Sequence, residues 1–257
     1  MSDSTESIYE AALQAVRDGE GAALATVVRA GETSPRGPGA KMLIRADGRT
    51  LGTVGGGPAE AWVAEQARQA LAEGRSRLIT RSAERSKDVC AADLSCFIDV
   101  LLPAPTLLVV GAGHIGQAVA SMGSWLGYRI VVLDERPSET VPEHFPDADT
   151  LLCGSLQEEL ASYSLGQHVY VILVTPHHSA DEQALAVLEE AEVPYVGLLG
   201  GKRRTEATFR RARAIGVSDA FLGTIHTPIG LDIGAETPKE IALSILADVT
   251  AVRRGGH

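Results

Sequence analysis

The chain has 257 residues, 45% hydrophobic and 22% charged, which suits a globular protein of roughly two domains or one large α/β domain. A formal net charge of −10 argues against generic binding to nucleic acid or acidic lipid. No apolar run approaches the ~20 residues needed to cross a bilayer. Three scattered cysteines, Cys90, Cys96 and Cys153, make no disulfide framework, and the acidic, polar start is unlike a signal peptide, so the expectation is a cytoplasmic chain with reduced thiols.

Ser4 to about Gly19 reads as an amphipathic helix with Ile8, Ala11, Leu13, Ala15 and Val16 on its apolar face. Residues 23–30, "ALATVVRA", follow as a strand, and "GETSPRGPGA" (31–40) as a loop. Residues 41–54 predict a hairpin turning at Asp47-Gly48. A helix from Pro58 to about Gly74 has proline in its first turn and glycine at its C-cap. Strands at 77–82 and 96–102 complete a small mixed α+β domain over residues 1–103, and the stiff "PAPT" (103–106) marks the boundary.

Over residues 104–257 strands and helices alternate, as they do around a parallel sheet. Strands are expected at 106–110, 129–134, 169–175 and 195–200, with a helix over 180–191. A last helix, about Pro238 to Arg253, has Thr237 as N-cap and Glu240 to complete a capping box. The expected fold is therefore α/β: a Rossmann-like parallel-sheet domain behind a smaller α+β domain.

"LLVVGAGHIGQAV" sets Gly111, Gly113 and Gly116 directly after an apolar strand and at the mouth of a helix. Gly111 permits the sharp turn, Gly113 lets backbone approach a pyrophosphate, and Gly116 lets helix and strand pack closely. The helix N-terminus adds free N–H groups and positive dipole. Asp134 ends the next strand, where a carboxylate accepts ribose hydroxyls and repels a 2′-phosphate; Arg136 close behind softens that preference for NAD over NADP.

A second glycine run, Gly55-Gly56-Gly57, opens the Pro58 helix, and "SPRGPGAK" offers Arg36 and Lys41 beside further glycines. The run reads either as an anion-binding helix start or as a tight turn with Glu60 as a capping carboxylate. Gly200-Gly201-Lys202 likewise follows a strand and opens a helix, while the arginines behind it (202–216) suit a solvated face with i,i+4 pairs. His177 and His178, in "TPHHSAD", follow a strand on the ligand edge of the sheet; they are either acid/base groups or exposed loop residues. His226 leads a tightly turned acidic loop that either lines a cleft or merely introduces the last helix.

Taken together, "GETSPRGPGAKMLI", "GTVGGGPAEAWVAEQA", "VVGAGHIGQAVA", "VVLDERPSETVPEHFPDAD", "YVGLLGGKRR" and "TPIGLDIGAETPKEIALSILADV" resemble the XdhC/CoxI family, accessory proteins of molybdenum hydroxylases such as xanthine dehydrogenase. The resemblance spans nearly the whole chain. It implies an N-terminal domain followed by a Rossmann domain, binding of molybdenum cofactor, and delivery of that cofactor, sulfurated, to a hydroxylase apoprotein. It also implies a homodimer and a sulfurase as a second partner. His114 belongs to the family pattern and is a candidate ligand contact.

The family usually shows Cys-Gly-Gly ahead of its last N-terminal strand, the cysteine engaging the cofactor. Cys90 keeps that place as a possible molybdenum contact, but Ala91 and Ala92 replace the glycines. Family members also commonly carry a histidine where this chain has Pro176. These departures leave a second reading open: an NAD(P)-dependent oxidoreductase on the same scaffold, with cofactor on Gly111–Gly116 and His177 or His178 relaying a proton.

Overall fold

The computed structural model describes residues 4–31, 34–81, 93–176 and 178–255, the side chains of 178–180 apart. The chain forms two compact units, Met1–Pro103 and Ala104–His257.

The N-terminal unit is an antiparallel sheet carrying two helices. Helix α1 (Thr5–Arg17) starts where the Ser4 side chain accepts a hydrogen bond from the Ser7 N–H. Strands β1 (Ala22–Ala30), β2 (Lys41–Arg45) and β3 (Thr50–Gly52) follow, the hairpin between β2 and β3 turning at Gly48 with φ +85°. Helix α2 (Gly57–Glu73) ends at Gly74 in the left-handed conformation, and β4 (Arg77–Arg81) and β5 (Leu94–Leu101) close the unit. Sheet order is β3-β2-β1-β5-β4.

Alternation along β1 assigns the two faces. Ala23, Ala25 and Val27 pack with Ile44, Cys96 and Ile98 beneath Val63 and Ala67 of α2, while Ala22, Leu24 and Leu43 pack beneath α1. Helix α1 turns Ile8, Ala12 and Ala15 inward, whereas Leu13 is half exposed at 51%. The apolar face expected from sequence is thus rotated: with small alanines able to approach the sheet, Ala12 rather than Leu13 completes the i, i+4 stripe.

The C-terminal unit is a parallel sheet with helices on both faces. Strands β6 (Thr106–Val110), β7 (Arg129–Asp134), β8 (Thr150–Cys153), β9 (Val169–Leu173) and β10 (Tyr195–Leu198) lie in the order β10-β9-β6-β7-β8. Helix α3 (His114–Trp125) and α8 (Pro238–Arg254) share one apolar cluster; α4 (Leu156–Ser162), α5 (His178–Leu188) and α6 (Lys202–Ala214) share the other, and α7 (Asp219–Leu222) is a single short turn. Helix α8 has the expected capping box between Thr237 and Glu240. The short edge strand β8 and helices α4 and α7 were not among the elements expected from sequence.

The order outward from β6 is that of a doubly wound Rossmann sheet, with β6 and β9 adjacent while the helices that follow them cover opposite faces. The loops after β6 and β9 therefore part at the topological switch point, where open α/β sheets bind ligands. No helix of the described residues is long and apolar enough to cross a membrane.

Candidate functional site

The loop after β6 gives each glycine of the fingerprint a separate physical task. Gly111 has φ +119°, and a Cβ there would lie 2.6 Å from the Val174 carbonyl oxygen. A Cβ on Gly116 would lie 2.0 Å from the Gly111 carbonyl oxygen. Both positions are closed to any side chain by the chain itself. Gly113, the N-cap of α3, has φ −76° and ψ −177°, and a Cβ there meets no described atom within 4 Å. The fold does not demand glycine at Gly113, and the missing side chain leaves the backbone open there. His114 follows as the exposed first residue of α3.

Asp134 is 5% exposed at the end of β7. Its Oδ2 accepts from the Ala112 N–H (2.7 Å) and Arg136 Nη2 (2.8 Å), and its Oδ1 from the Arg136 N–H and Nε, both at 2.9 Å. Burial pushes this carboxyl upward, but the Arg136 guanidinium and the two backbone N–H groups outweigh it, so its pKa falls below the usual aspartate value. The carboxylate thus ties the glycine turn to β7 and holds Arg136 in a two-pronged fork.

Across the switch point, a second charged cluster fixes the loop after β9. Asp181 is fully buried, accepts from the Thr175 hydroxyl, and pairs at 3.0 Å with Arg204 Nη2. The same nitrogen donates to the Thr175 carbonyl at 2.7 Å. Arg204 belongs to α6, which opens at Gly200-Gly201-Lys202; the basic helix therefore turns one arginine inward and pairs others across to Glu182 and Asp219. Asp181 was missed from sequence, although it stands on the stripe that Leu185 and Leu188 define, where a charge signals a buried partner.

His226 lies beside β10, with Nδ1 3.1 Å from Asp248 Oδ2, which also accepts from the Tyr195 hydroxyl at 2.7 Å. The two rings are 4.4 Å apart. Burial and then the Asp248 carboxylate push the Tyr195 hydroxyl far up, so it serves as a fixed donor. His226 is thus held within the strand-edge packing.

In the N-terminal unit, strand pairing gathers the candidate segments at one end of the sheet. The end of β1, the start of β2, the ends of β3 and β4, and the start of β5 share that end: Ala30 pairs with Leu94, Arg81 with Leu94, and Met42 with Gly52. Thr53 N–H donates to the Lys41 carbonyl, and Arg81 donates to the Pro58 carbonyl at the head of α2. The loop of exposed Arg36 and the run Gly55-Gly56-Gly57 leave the sheet there. None of these three glycines has positive φ, and a Cβ on Gly56 or Gly57 meets no described atom within 4 Å. Glu60 is bonded to the Thr53 hydroxyl, and Lys41 donates to Thr26 at 3.0 Å.

Cys90 and His177 lie outside the described residues, as does the side chain of His178, which opens α5. Cys96 is buried in β5, and burial pushes its thiol up to about 11.

Fold and turn define a two-unit protein whose C-terminal unit is a Rossmann domain. The comparisons agree: residues 107–249 match the XdhC Rossmann domain, and residues 15–82 match the XdhC and CoxI family. The chain belongs to the XdhC/CoxI family. It is 36% identical over 237 residues to the uncharacterised protein YqeB of Escherichia coli K12, covering 90% of this chain and 43% of that one. It is 29% identical over 158 residues to a Bacillus subtilis protein described as a probable xanthine dehydrogenase subunit, covering 62% of this chain and 46% of that one. It is 26% identical to the molybdenum cofactor insertion chaperone PaoD of Escherichia coli K12, over 98% of this chain and 90% of that one. The chain thus spans less than half the length of the first two relatives. A crystal structure described as a xanthine dehydrogenase from Bacillus halodurans shares the fold, with a TM-score of 0.55, 22% identity and coverage of 100% of this chain and 97% of that one.

Proposed function

We propose that this protein is an accessory factor that binds molybdenum cofactor and delivers it to a molybdenum hydroxylase of the xanthine dehydrogenase type. The observation that carries the reading is the end-to-end similarity to a molybdenum cofactor insertion chaperone, over 98% of this chain. The N-terminal sheet end suits the cargo. Gly56 and Gly57 leave backbone open where the chain's own packing asks for no glycine, and Arg36 stands exposed on the neighbouring loop. Cys90, which lies between β4 and β5 in sequence, would offer a thiolate as a soft ligand for molybdenum. The bound group supplies molybdenum and its sulfur; the chain binds, orients and shields it. The partners in this reading are the hydroxylase apoprotein and a sulfurase, and the working form is a cytoplasmic homodimer.

The test is anaerobic denaturation of the purified protein, assayed for oxidised pterin fluorescence, followed by uptake of added molybdenum cofactor by wild type and Cys90→Ser. Near one pterin per protomer, with uptake weakened in the folded variant and loss of hydroxylase activity in cells, is expected. No uptake, and full hydroxylase activity in cells lacking the protein, would refute it.

One observation favours a second reading, an NAD(P)-dependent oxidoreductase: the open Gly113 at the switch point suits a pyrophosphate. There His114 would stand beside the cofactor, and His177 or His178 would move the proton.

A further inference from the structure

The arrangement of Asp134 and Arg136 bears on which ligand the Rossmann turn selects. A carboxylate that binds ribose at this place needs lone pairs to receive two hydroxyls. An ionised carboxylate has about four acceptor positions. In this chain four donors fill them, from Ala112, the Arg136 backbone, and Arg136 Nε and Nη2, all within 2.7–2.9 Å. A ribose diol would have to displace a charge-assisted fork, which is roughly twice as strong as a neutral hydrogen bond. The guanidinium spends two of its N–H donors on Asp134, and its side chain is 39% exposed. Asp134 and then Glu139 hold it fully charged. The corner therefore presents a partly exposed guanidinium, planar, rich in donors and paired with Asp134, where an open ribose acceptor was expected.

We infer that this corner reads a phosphate monoester through Arg136, so that the turn takes a 2′-phosphorylated adenine dinucleotide in preference to the unphosphorylated one. Asp134 is a positioning residue: it ties down the glycine turn and aims the guanidinium, and it does not receive ribose. The inference rests on the reading of Gly111–Gly116 as a phosphate-binding turn and names the ligand class of that turn.

Isothermal titration of the full chain with NADP+ and with NAD+ tests it. Wild type should bind NADP+ at least about tenfold more tightly, the worth of one charge-assisted contact to phosphate. Arg136→Gln should bring the ratio near one, with NAD+ affinity held or raised as Asp134 is released. A wild-type ratio of one or below, no binding of either nucleotide at millimolar concentration, or a preference that survives in folded Arg136→Gln overturns the inference. The wild-type ratio decides even if a variant does not fold. Pterin uptake is a separate readout: a protein that takes up molybdenum cofactor without preferring NADP+ keeps the proposed function and loses this inference, and the converse result does the opposite.

Discussion

Two glycines of one turn should respond in opposite ways to a single added methyl. In Gly116→Ala the new Cβ would lie 2.0 Å from the Gly111 carbonyl oxygen. Both partners belong to backbone, so no side chain can rotate away, and α3 must recede from the turn by about an ångström or more. Overpacking of this kind costs about 1–3 kcal/mol, and a backbone obstacle places it at the upper end, about 3 kcal/mol. For a domain of this size that corresponds to a Tm lowered by roughly 6–12 °C. In Gly113→Ala the methyl meets no described atom within 4 Å, and φ −76° with ψ −177° is open to alanine. Its Tm should stay within roughly 2 °C of wild type, as for surface substitutions generally, while ligand affinity falls because the methyl occupies the approach to the turn. Calorimetric melting and titration of the same two variants decide the matter. A Gly116→Ala protein as stable as wild type would refute the packing argument, and a Gly113→Ala protein that binds as wild type does would refute the ligand argument.

Asp181→Ala should destabilise the C-terminal unit by about 3–5 kcal/mol in a urea melt, because it strands Arg204 against a fully buried site. Asp134 has a lowered folded pKa, so its contribution is present above the unfolded value, near pH 4, and is lost as the pH falls through the lower folded one; the stability gap between wild type and Asp134→Asn should narrow over that acid window. Cys96 is buried with its thiol near 11, whereas Cys153 is exposed. In a Cys90→Ser background a thiol reagent at pH 8 should therefore titrate Cys153 at once and Cys96 only after unfolding.

The strands that bury both faces were legible because they are continuous apolar runs, and the expected spans for β6 and β7 match the structure residue for residue. The capping box of α8 was equally legible, since its signal lies in four adjacent residues. Edge strand β8 escaped because its residues are only partly buried and its pairing with β7 is set by tertiary contact. The phase of α1 was misread because alanine and leucine count alike in an apolar pattern, although Ala12 and Ala15 pack with Ile8 against the sheet and Leu13 does not. At the N-terminal sheet end, the glycine run was visible as a string, but its convergence with the Arg36 loop depends on antiparallel pairing between segments distant in sequence.

Asp134 shows where reading by position reaches its limit. The spacing from Gly111 put a carboxylate at the right place, and the structure keeps it there. What spacing does not say is whether that carboxylate is free. The answer lay two residues away: "DER" at the end of a strand sets Arg136 close enough for both its backbone N–H and its guanidinium to reach Asp134. A neighbour fixed at two residues' separation holds its contact at almost no loop-closure cost, so it occupies the acceptor before any ligand arrives. An acidic residue at this corner therefore reports ribose recognition only when the following residues leave its lone pairs open. With arginine two places on, the same aspartate turns the corner from an acceptor of hydroxyls into the mount for a cation.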